Sequence, residues 1–337
     1  MSVLDEIHEQ PAAVDRMLER NSGLVADLAS LTEGATHVVI AARGTSDNAA
    51  RYAQYVWGAR NRLVVGLTTP SLFGPLQSPP DLTGALVVGI SQSGQSPDLV
   101  EVLAEAVRQG RPTLAITNDP ASPLASRAGC VMDLAAGPER GIPATKTYTT
   151  QLAAVALASL AFAGDDMEPL ACLPDRLQEA LDRATDLEAA VDVLADAERC
   201  AVVGRGYHIS TVFEWALKLQ EMAYLVAQPF SAADFLHGPV AVVDEGFPVL
   251  VIATAGPTFD QLATLAADMQ ERGAHVVTLS DVGGVPGDIV VEMPQVEPWL
   301  SPIVSAPVIQ SYARSATLAR GLDPESPRGL SKVIRTT

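Results

Sequence analysis

Cysteine is scarce in this chain of 337 residues: Cys130, Cys172 and Cys200 stand far apart, with no Cys-x-x-Cys pair and no metal-ligand spacing. Nothing here builds a disulfide framework, and reduced, mostly buried thiols in a reducing compartment are expected. No His/Cys/Asp cluster has the spacing of a zinc site, so no metal or other cofactor is expected. Basic residues are in deficit, 22 Lys and Arg against 40 Asp and Glu, and the formal net charge is −18. That balance argues against nucleic acid or an anionic membrane as partner, whereas a small anionic substrate needs only a locally positive pocket. Long hydrophobic runs are missing too. The longest, Leu152 to Ala163, is too short to span a bilayer and reads as a buried helix. The opening MSVLDEIHEQPAAVDRML is acidic and amphipathic and resembles no signal peptide, so a cytoplasmic protein is expected.

What is present is a folded chain that repeats itself. Hydrophobic residues make up 48% of it, and the length suits two domains, each large enough for its own core. A shift of 162 residues lays Arg43-Gly44 on Arg205-Gly206, Ile90 on Ile252, Gly94 on Gly256 and Asp119 on Asp281. HVVIAARG (37–44) overlies RCAVVGRG (199–206), and PTLAITND (112–119) overlies AHVVTLSD (274–281). Each copy runs strand, Gly turn, helix, second strand with its own Gly loop, helix, third strand. This order predicts an α/β fold of two tandem doubly wound parallel sheets, flavodoxin-like, related by the repeat. Residues 1–36 form a helical lead-in with Pro11 at a helix start or break. The first domain covers 37–172 and the second 173–323, its sheet starting near Cys200. Residues 324–337 form a basic tail.

The segment Ser91-Gln92-Ser93-Gly94-Gln95-Ser96-Pro97-Asp98 follows the apolar strand Ala85 to Gly89 and precedes a helix-periodic stretch from Asp98 to Arg108. A strand-to-helix turn exposes backbone N–H groups and the positive end of the helix dipole, which suits an anion. Hydroxyls bind phosphate oxygens without adding charge, and Gly94 lets the backbone come close. The bland alternative is a Ser/Gly turn that caps the helix. The second copy weakens it: there the tetrad is Ala253-Thr254-Ala255-Gly256. The glycine stays but the hydroxyls mostly go, so copy one is assigned the phosphate and copy two is read as having lost that task.

Four more segments carry candidate chemistry. Arg43-Gly44-Thr45-Ser46-Asp47-Asn48 is a second polar turn able to converge with the first loop on one ligand, or a plain N-cap. Gly141 to Thr150, with Ala144, Thr145 and Lys146, either lines the same site or is a capped helix start with an exposed lysine. Glu214, Lys218 and Glu221 fall on one helical face, as a surface Glu–Lys pair or as a carboxylate tuned by lysine for general base work. His237, in Phe235-Leu236-His237-Gly238-Pro239, is structural or shuttles a proton to a ring oxygen. Lys332 in the tail is a solvated charge or, if the tail folds over the site, an amine for a Schiff base.

Together these residues resemble the sugar isomerase (SIS) domain family, and within it the isomerase half of glucosamine-6-phosphate synthase. SQSGQSPD is similar to the family's phosphate loop, RGTSDNA to its first loop and ATKTYTTQL to its third site segment. ALKLQEMAYLVAQPFSAADFLHGP resembles its catalytic helix and His-Gly-Pro loop, and GLSKV its lysine-bearing tail. The resemblance covers nearly the whole chain and implies the following roles. Thr45, Ser46, Ser91, Gln92, Ser93 and Ser96 would hold the phosphate, with Gly44, Ala144 and Thr145 also at the substrate. Glu221 would move a proton between C1 and C2, assisted by Lys218. His237 would open the ring, its loop reaching the neighbouring subunit's site in a homodimer. Lys332 would engage the carbonyl carbon.

There are departures from the synthase. Ser2 follows Met1 where the synthase carries a glutaminase domain, so this chain is not expected to draw ammonia from glutamine. Gln228 stands where the synthase has a carboxylate. The Ser-Pro of SQSGQSPD, the string FSAADFLHGPV and the ending resemble instead the short glucosamine-6-phosphate deaminases of this fold. The expectation is therefore an enzyme that turns glucosamine 6-phosphate and water into fructose 6-phosphate and ammonia without a metal. The alternatives are a fructosamine-phosphate deglycase, an aldose–ketose isomerase on another hexose phosphate, or a sugar-phosphate sensor without catalysis.

Overall fold

The computed structural model describes residues 2–184 and 187–332. The chain opens with helices α1 (Val3–His8), α2 (Gln10–Asn21) and α3 (Val25–Leu31). Pro11 lies in the first turn of α2, where a missing N–H costs nothing. Two compact units follow from the packing. One comprises Glu9–Glu139, Lys146–Pro174 and the chain from Ser331; the other comprises the segment ending at His8, Arg140–Thr145 and Asp175–Leu330.

The first unit holds β1 (His37–Ala41), β2 (Val64–Leu67), β3 (Ala85–Ser91), β4 (Thr113–Thr117) and β5 (Cys130–Asp133), all parallel, in the order β2-β1-β3-β4-β5. Helices α4 (Thr45–Asn61) and α5 (Pro97–Arg108) return the chain after β1 and β3, and α6 (Lys146–Ala163) follows β5. Every residue of β3 and β4 is buried, which is why these strands read as unbroken apolar runs rather than alternating ones. Helix α6 is buried on all sides from Lys146 to Ala161, under α2, α3 and α4. Several of its polar side chains are paired: Lys146 with Glu9, Thr149 with Gln10, and Ser159 with Asn61 at 2.8 Å.

The second unit takes in α7 (Leu173–Arg183) from Asp175 on, α8 (Glu188–Asp192), then β6 (Arg199–Gly204), α9 (Ile209–Ala223), β7 (Val226–Ser231) and α10 (Ala232–Leu236). After these come β8 (Pro248–Ile252), α11 (Phe259–Glu271), β9 (His275–Ser280), β10 (Ile289–Glu292) and α12 (Ser301–Ala319). Its sheet is parallel in the order β10-β9-β8-β6-β7, the same topology as the first. β1, β2 and β4 start at His37, Val64 and Thr113, and β6, β7 and β9 start at Arg199, Val226 and His275, each 162 residues later. The duplicated, flavodoxin-like fold expected from the sequence is the fold observed. Helix α12 packs on α9, α8 and α1, with Tyr312 edge-on to Trp215 at 5.0 Å between ring centroids.

The thiols differ from expectation. Only Cys200 is buried, its pKa pushed up to about 12 by that burial; Cys130 is half-buried and Cys172 exposed. Cys130 starts β5, an edge strand, and Cys172 sits in the turn before Leu173, places where a short side chain is not sealed by neighbours on both sides. Among the described residues, no helix is long and apolar enough to cross a membrane.

One buried histidine sets a pH dependence. His208 Nε2 lies 2.7 Å from Ser301 Oγ and Nδ1 lies 3.1 Å from Thr211 Oγ1. Ser301 spends its own proton on the Pro298 carbonyl at 2.9 Å, so it accepts from Nε2–H, and Nδ1 accepts from Thr211. This holds the ring neutral, and burial pulls its pKa from 6.5 down to about 3. The associated stability is complete above pH 6.5 and drains away as pH falls toward 3, by up to about 1.4 kcal/mol per pH unit. In urea titrations at pH 7 and pH 5, the wild type should lose about 2 kcal/mol more than His208→Gln. Equal losses would show that His208 does not titrate differently on folding.

Candidate active site

Strands β1 and β3 are neighbours, and the chain leaves their carboxy-terminal ends for α4 and α5. In the order β2-β1-β3 this is where the strand order reverses, the place at which open parallel α/β sheets bind their ligands. Two loops meet there. In the first, Gly44 turns the chain with φ 54° before Thr45 begins α4, and Ser46 is buried with its hydroxyl accepting a hydrogen bond from Gln151 Nε2 at 2.9 Å. In the second, Gly94 adopts φ +61°, and a Cβ there would fall 2.1 Å from Ser122 Oγ, so both conformation and space demand glycine. Ser91 Oγ accepts the Gly94 N–H at 3.1 Å and Ser93 Oγ accepts the Gln95 N–H at 3.3 Å. These two amides are thus spent inside the loop. Both hydroxyls keep an O–H for an outside acceptor. Ser96 is the extended residue ahead of α5, and the backbone carbonyl of Gln92 accepts the Asn118 N–H at 3.1 Å.

A link that the sequence reading missed ties the loops together. Arg43 donates from Nε and from its terminal nitrogen to Asp98 Oδ2, at 2.8 Å each, and the Asp98 side chain is 6% exposed. The buried carboxylate in the first turn of α5 therefore fixes the turn that ends β1. Its signal in the sequence was that Arg43 and Arg205 are matched across the repeat. In copy two Arg205 is held by the Gln261 side chain instead. There the loop N–H of Ala255 donates to Asp281 Oδ1 at 2.7 Å, so a carboxylate of the chain itself occupies the amide. Burial raises the Asp281 pKa, and that hydrogen bond opposes the shift.

In the third segment the lysine is not the exposed one of the capped-start alternative. Lys146 is 1% exposed and ion-paired with Glu9, and Thr147 at the start of α6 is held through both N–H (3.0 Å) and hydroxyl (2.7 Å) by Glu139. Ala144 is half-buried; Thr145 is buried, its carbonyl accepting from Gln310 Nε2 at 3.2 Å. Glu139 also accepts from Lys332 Nζ at 2.8 Å, so the tail lysine is not a solvated charge. The last five positions of the tail, 333–337, lie outside the described residues.

In the second unit, α9 presents Glu214, Lys218 and Glu221 as one group. Lys218 Nζ is 2.6 Å from Glu221 Oε2 and 3.4 Å from Glu214 Oε1; the side chains of Lys218 and Glu214 have no exposed surface and that of Glu221 is 24% exposed. The surface Glu–Lys alternative does not apply. Burial by itself would lower the Lys218 pKa, but the charges of Glu214 and Glu221 outweigh it and raise the pKa above its ordinary value. Lys218 is therefore a fixed cation that holds Glu221, the member of the three that meets solvent. His237 follows α10 with its side chain exposed, beside Leu236, which is also exposed, while Phe235 is fully buried and anchors the turn. Gln228 is exposed on β7, an edge strand.

The SIS domain model matches residues 30–161 and 193–294, one segment in each copy, and the chain belongs to this family. It is 32% identical over 345 residues to the isomerizing glutamine–fructose-6-phosphate aminotransferase of Thermococcus kodakarensis, covering 98% of this chain and 57% of that protein. The corresponding Thermus thermophilus enzyme is 30% identical over 352 residues, covering 98% of this chain and 58% of that protein. The chain thus spans somewhat more than half the length of the relatives it matches. Among solved structures, the C-terminal domain of the Francisella tularensis glucosamine-fructose-6-phosphate aminotransferase superposes with a TM-score of 0.87 at 27% identity, covering 96% of this chain and 98% of that one. A Silicibacter pomeroyi DSS-3 protein named for phosphosugar isomerase activity gives 0.88 at 32% identity, covering 96% and 100%. The glucosamine-6-phosphate deaminase of Thermotoga maritima shares the fold, with a TM-score of 0.82 at 21% identity.

Removing the cation tests the α9 group. Lys218→Met takes this counter-ion from the buried Glu214 charge and should lower the unfolding free energy by about 3–5 kcal/mol. Adding Glu214→Gln should return most of that loss in chemical denaturation. A double variant as unstable as the single one would contradict this electrostatic role.

Proposed function

We propose that the chain is a phosphosugar isomerase of the deaminating kind, converting glucosamine 6-phosphate and water to fructose 6-phosphate and ammonia. The observation that carries this reading is the α9 group: a buried, permanently charged lysine that steadies a single accessible carboxylate. The phosphate loops of the first unit and the similarity to hexose-6-phosphate enzymes support the substrate class. Thr45, Ser46, Ser91, Gln92, Ser93 and Ser96 bind the phosphate, with Gly44, Ala144 and Thr145 along the sugar.

His237 delivers a proton to the ring oxygen and opens the sugar to its aldehyde. Glu221 removes the proton at C2 and returns it to C1, so the C2 amine becomes a C2 imine and C1 becomes a hydroxymethyl group. Water adds to the imine carbon and ammonia leaves, which balances the reaction. Lys332 offers an amine for exchange onto C2 before hydrolysis. The exposed His237 loop supports a homodimer in which it completes the partner's site.

A second reading keeps the same proton transfer and changes the leaving group, as in a fructosamine-phosphate deglycase or an aldose–ketose isomerase. Gln228, in place of a carboxylate, is the observation that favours keeping it. Purified protein incubated with glucosamine 6-phosphate should release ammonia and fructose 6-phosphate in equal amounts. Fructose 6-phosphate binding with no ammonia release would overturn the deaminase in favour of the second reading, and no binding of either sugar phosphate would overturn both.

A further inference from the structure

Helix α6 buries a glutamine amide that is only half satisfied. Gln151 is 1% exposed, and its Nε2 donates to Ser46 Oγ at 2.9 Å, 105 residues away in sequence. Its other amide atom, Oε1, is buried with no hydrogen-bond partner. Other polar groups of this helix answer to structural partners within the unit, Lys146 to Glu9, Thr147 to Glu139 and Ser159 to Asn61. Gln151 instead reaches the first turn of α4, and does so in an orientation that leaves an acceptor unsatisfied. A buried unpaired carbonyl is unfavourable, so this orientation needs a compensating gain elsewhere.

The polarity of the contact identifies the gain. A hydroxyl has one proton and two lone pairs. With a lone pair of Ser46 taken by the amide N–H, the Ser46 proton is directed away from Gln151. Ser46 is itself 8% exposed, and no acceptor for its proton lies among the described residues. It is a nearly buried donor, held at the amino-terminal end of α4, where the helix dipole favours an anion. If the amide were reversed, Ser46 would donate to Oε1 and present only lone pairs, which repel a phosphate oxygen.

We infer that Gln151 is a positioning residue for the phosphate site: its side-chain N–H fixes the Ser46 hydroxyl as a donor to the incoming phosphate. This rests on the reading of the first-unit loops as the phosphate site. Gln151 does not touch the ligand. It acts through Ser46, and the bond to phosphate is the same in the ground state and the transition state, so it alters binding rather than turnover.

The test is isothermal titration calorimetry with inorganic phosphate, alongside steady-state kinetics with glucosamine 6-phosphate. Gln151→Glu replaces the donor by an acceptor of the same shape, takes the Ser46 proton and adds charge. It should weaken phosphate binding about 10- to 100-fold and raise KM with kcat held. Gln151→Met, which removes the donor without adding charge, should weaken binding about 3- to 10-fold and covers the case in which the buried glutamate impairs folding. In a Ser46→Ala background the Gln151→Met penalty should vanish, which a purely structural role for Gln151 would not produce. Wild-type affinity in Gln151→Met, or a penalty that persists in full without the Ser46 hydroxyl, would overturn the inference and leave the phosphate site standing. A wild-type protein that binds neither inorganic phosphate nor glucosamine 6-phosphate would overturn the phosphate reading and this inference with it.

Discussion

Lys218 has no exposed surface, and a lone ammonium in that position would cost several kcal/mol of desolvation. Glu214 and Glu221, one turn to either side, make the charge tolerable. The three side chains carry a net negative charge, and the shared cation couples their positions. The proton transfer proposed for Glu221 depends on this coupling. Glu214 is sealed in the core and Glu221 is the end that meets solvent, so the cation holds a carboxylate at the surface from beneath. A tight packing of α9 against α12 and β7 keeps the lysine from relaxing toward water.

The two copies of the fold differ in how the loop after the third strand is bonded. In copy one the loop after β3 uses its serines to shape itself and keeps their protons for an acceptor. In copy two the equivalent loop has no serines, and Asp281 is bonded to its backbone amide. An internal carboxylate there satisfies the amide and opposes an external anion. The arginine that ends the first strand is retained in both copies as a tie to the helix after the third strand, to Asp98 in one and to Gln261 in the other. The tie is common to the fold, and its charge balance is particular to each copy.

Much of this was legible in the sequence. The repeat offset of 162 residues is the offset between the starts of β1 and β6, β2 and β7, and β4 and β9, and the apolar runs became the three central strands of each sheet. The short edge strands β2, β5, β7 and β10 were not read from the sequence. Helical spacing put Glu214, Lys218 and Glu221 on one face. It did not show that this face is sealed, because periodicity tells which residues are neighbours on a helix and not what covers them. The same limit applies to Lys146, whose partner Glu9 lies on a different segment of the chain, and to Lys332, bound by Glu139. Gln151 and Ser46 were visible as polar residues in two motifs, but their contact is made by the packing of α4 on α6. Partners remote in sequence are fixed by tertiary structure, and a pattern of local spacing carries no record of them.

The central claim is that Glu221, steadied by Lys218, moves the proton between C1 and C2 of a hexose 6-phosphate. It is tested most directly by isotope exchange. Fructose 6-phosphate and ammonium are incubated with the enzyme in D2O, and deuterium at C1 is followed by NMR. The wild type should wash deuterium into C1, and Glu221→Gln should bind the sugar phosphate equally well but exchange nothing. Exchange at the wild-type rate in Glu221→Gln would contradict the account and require the proton to be carried by another group.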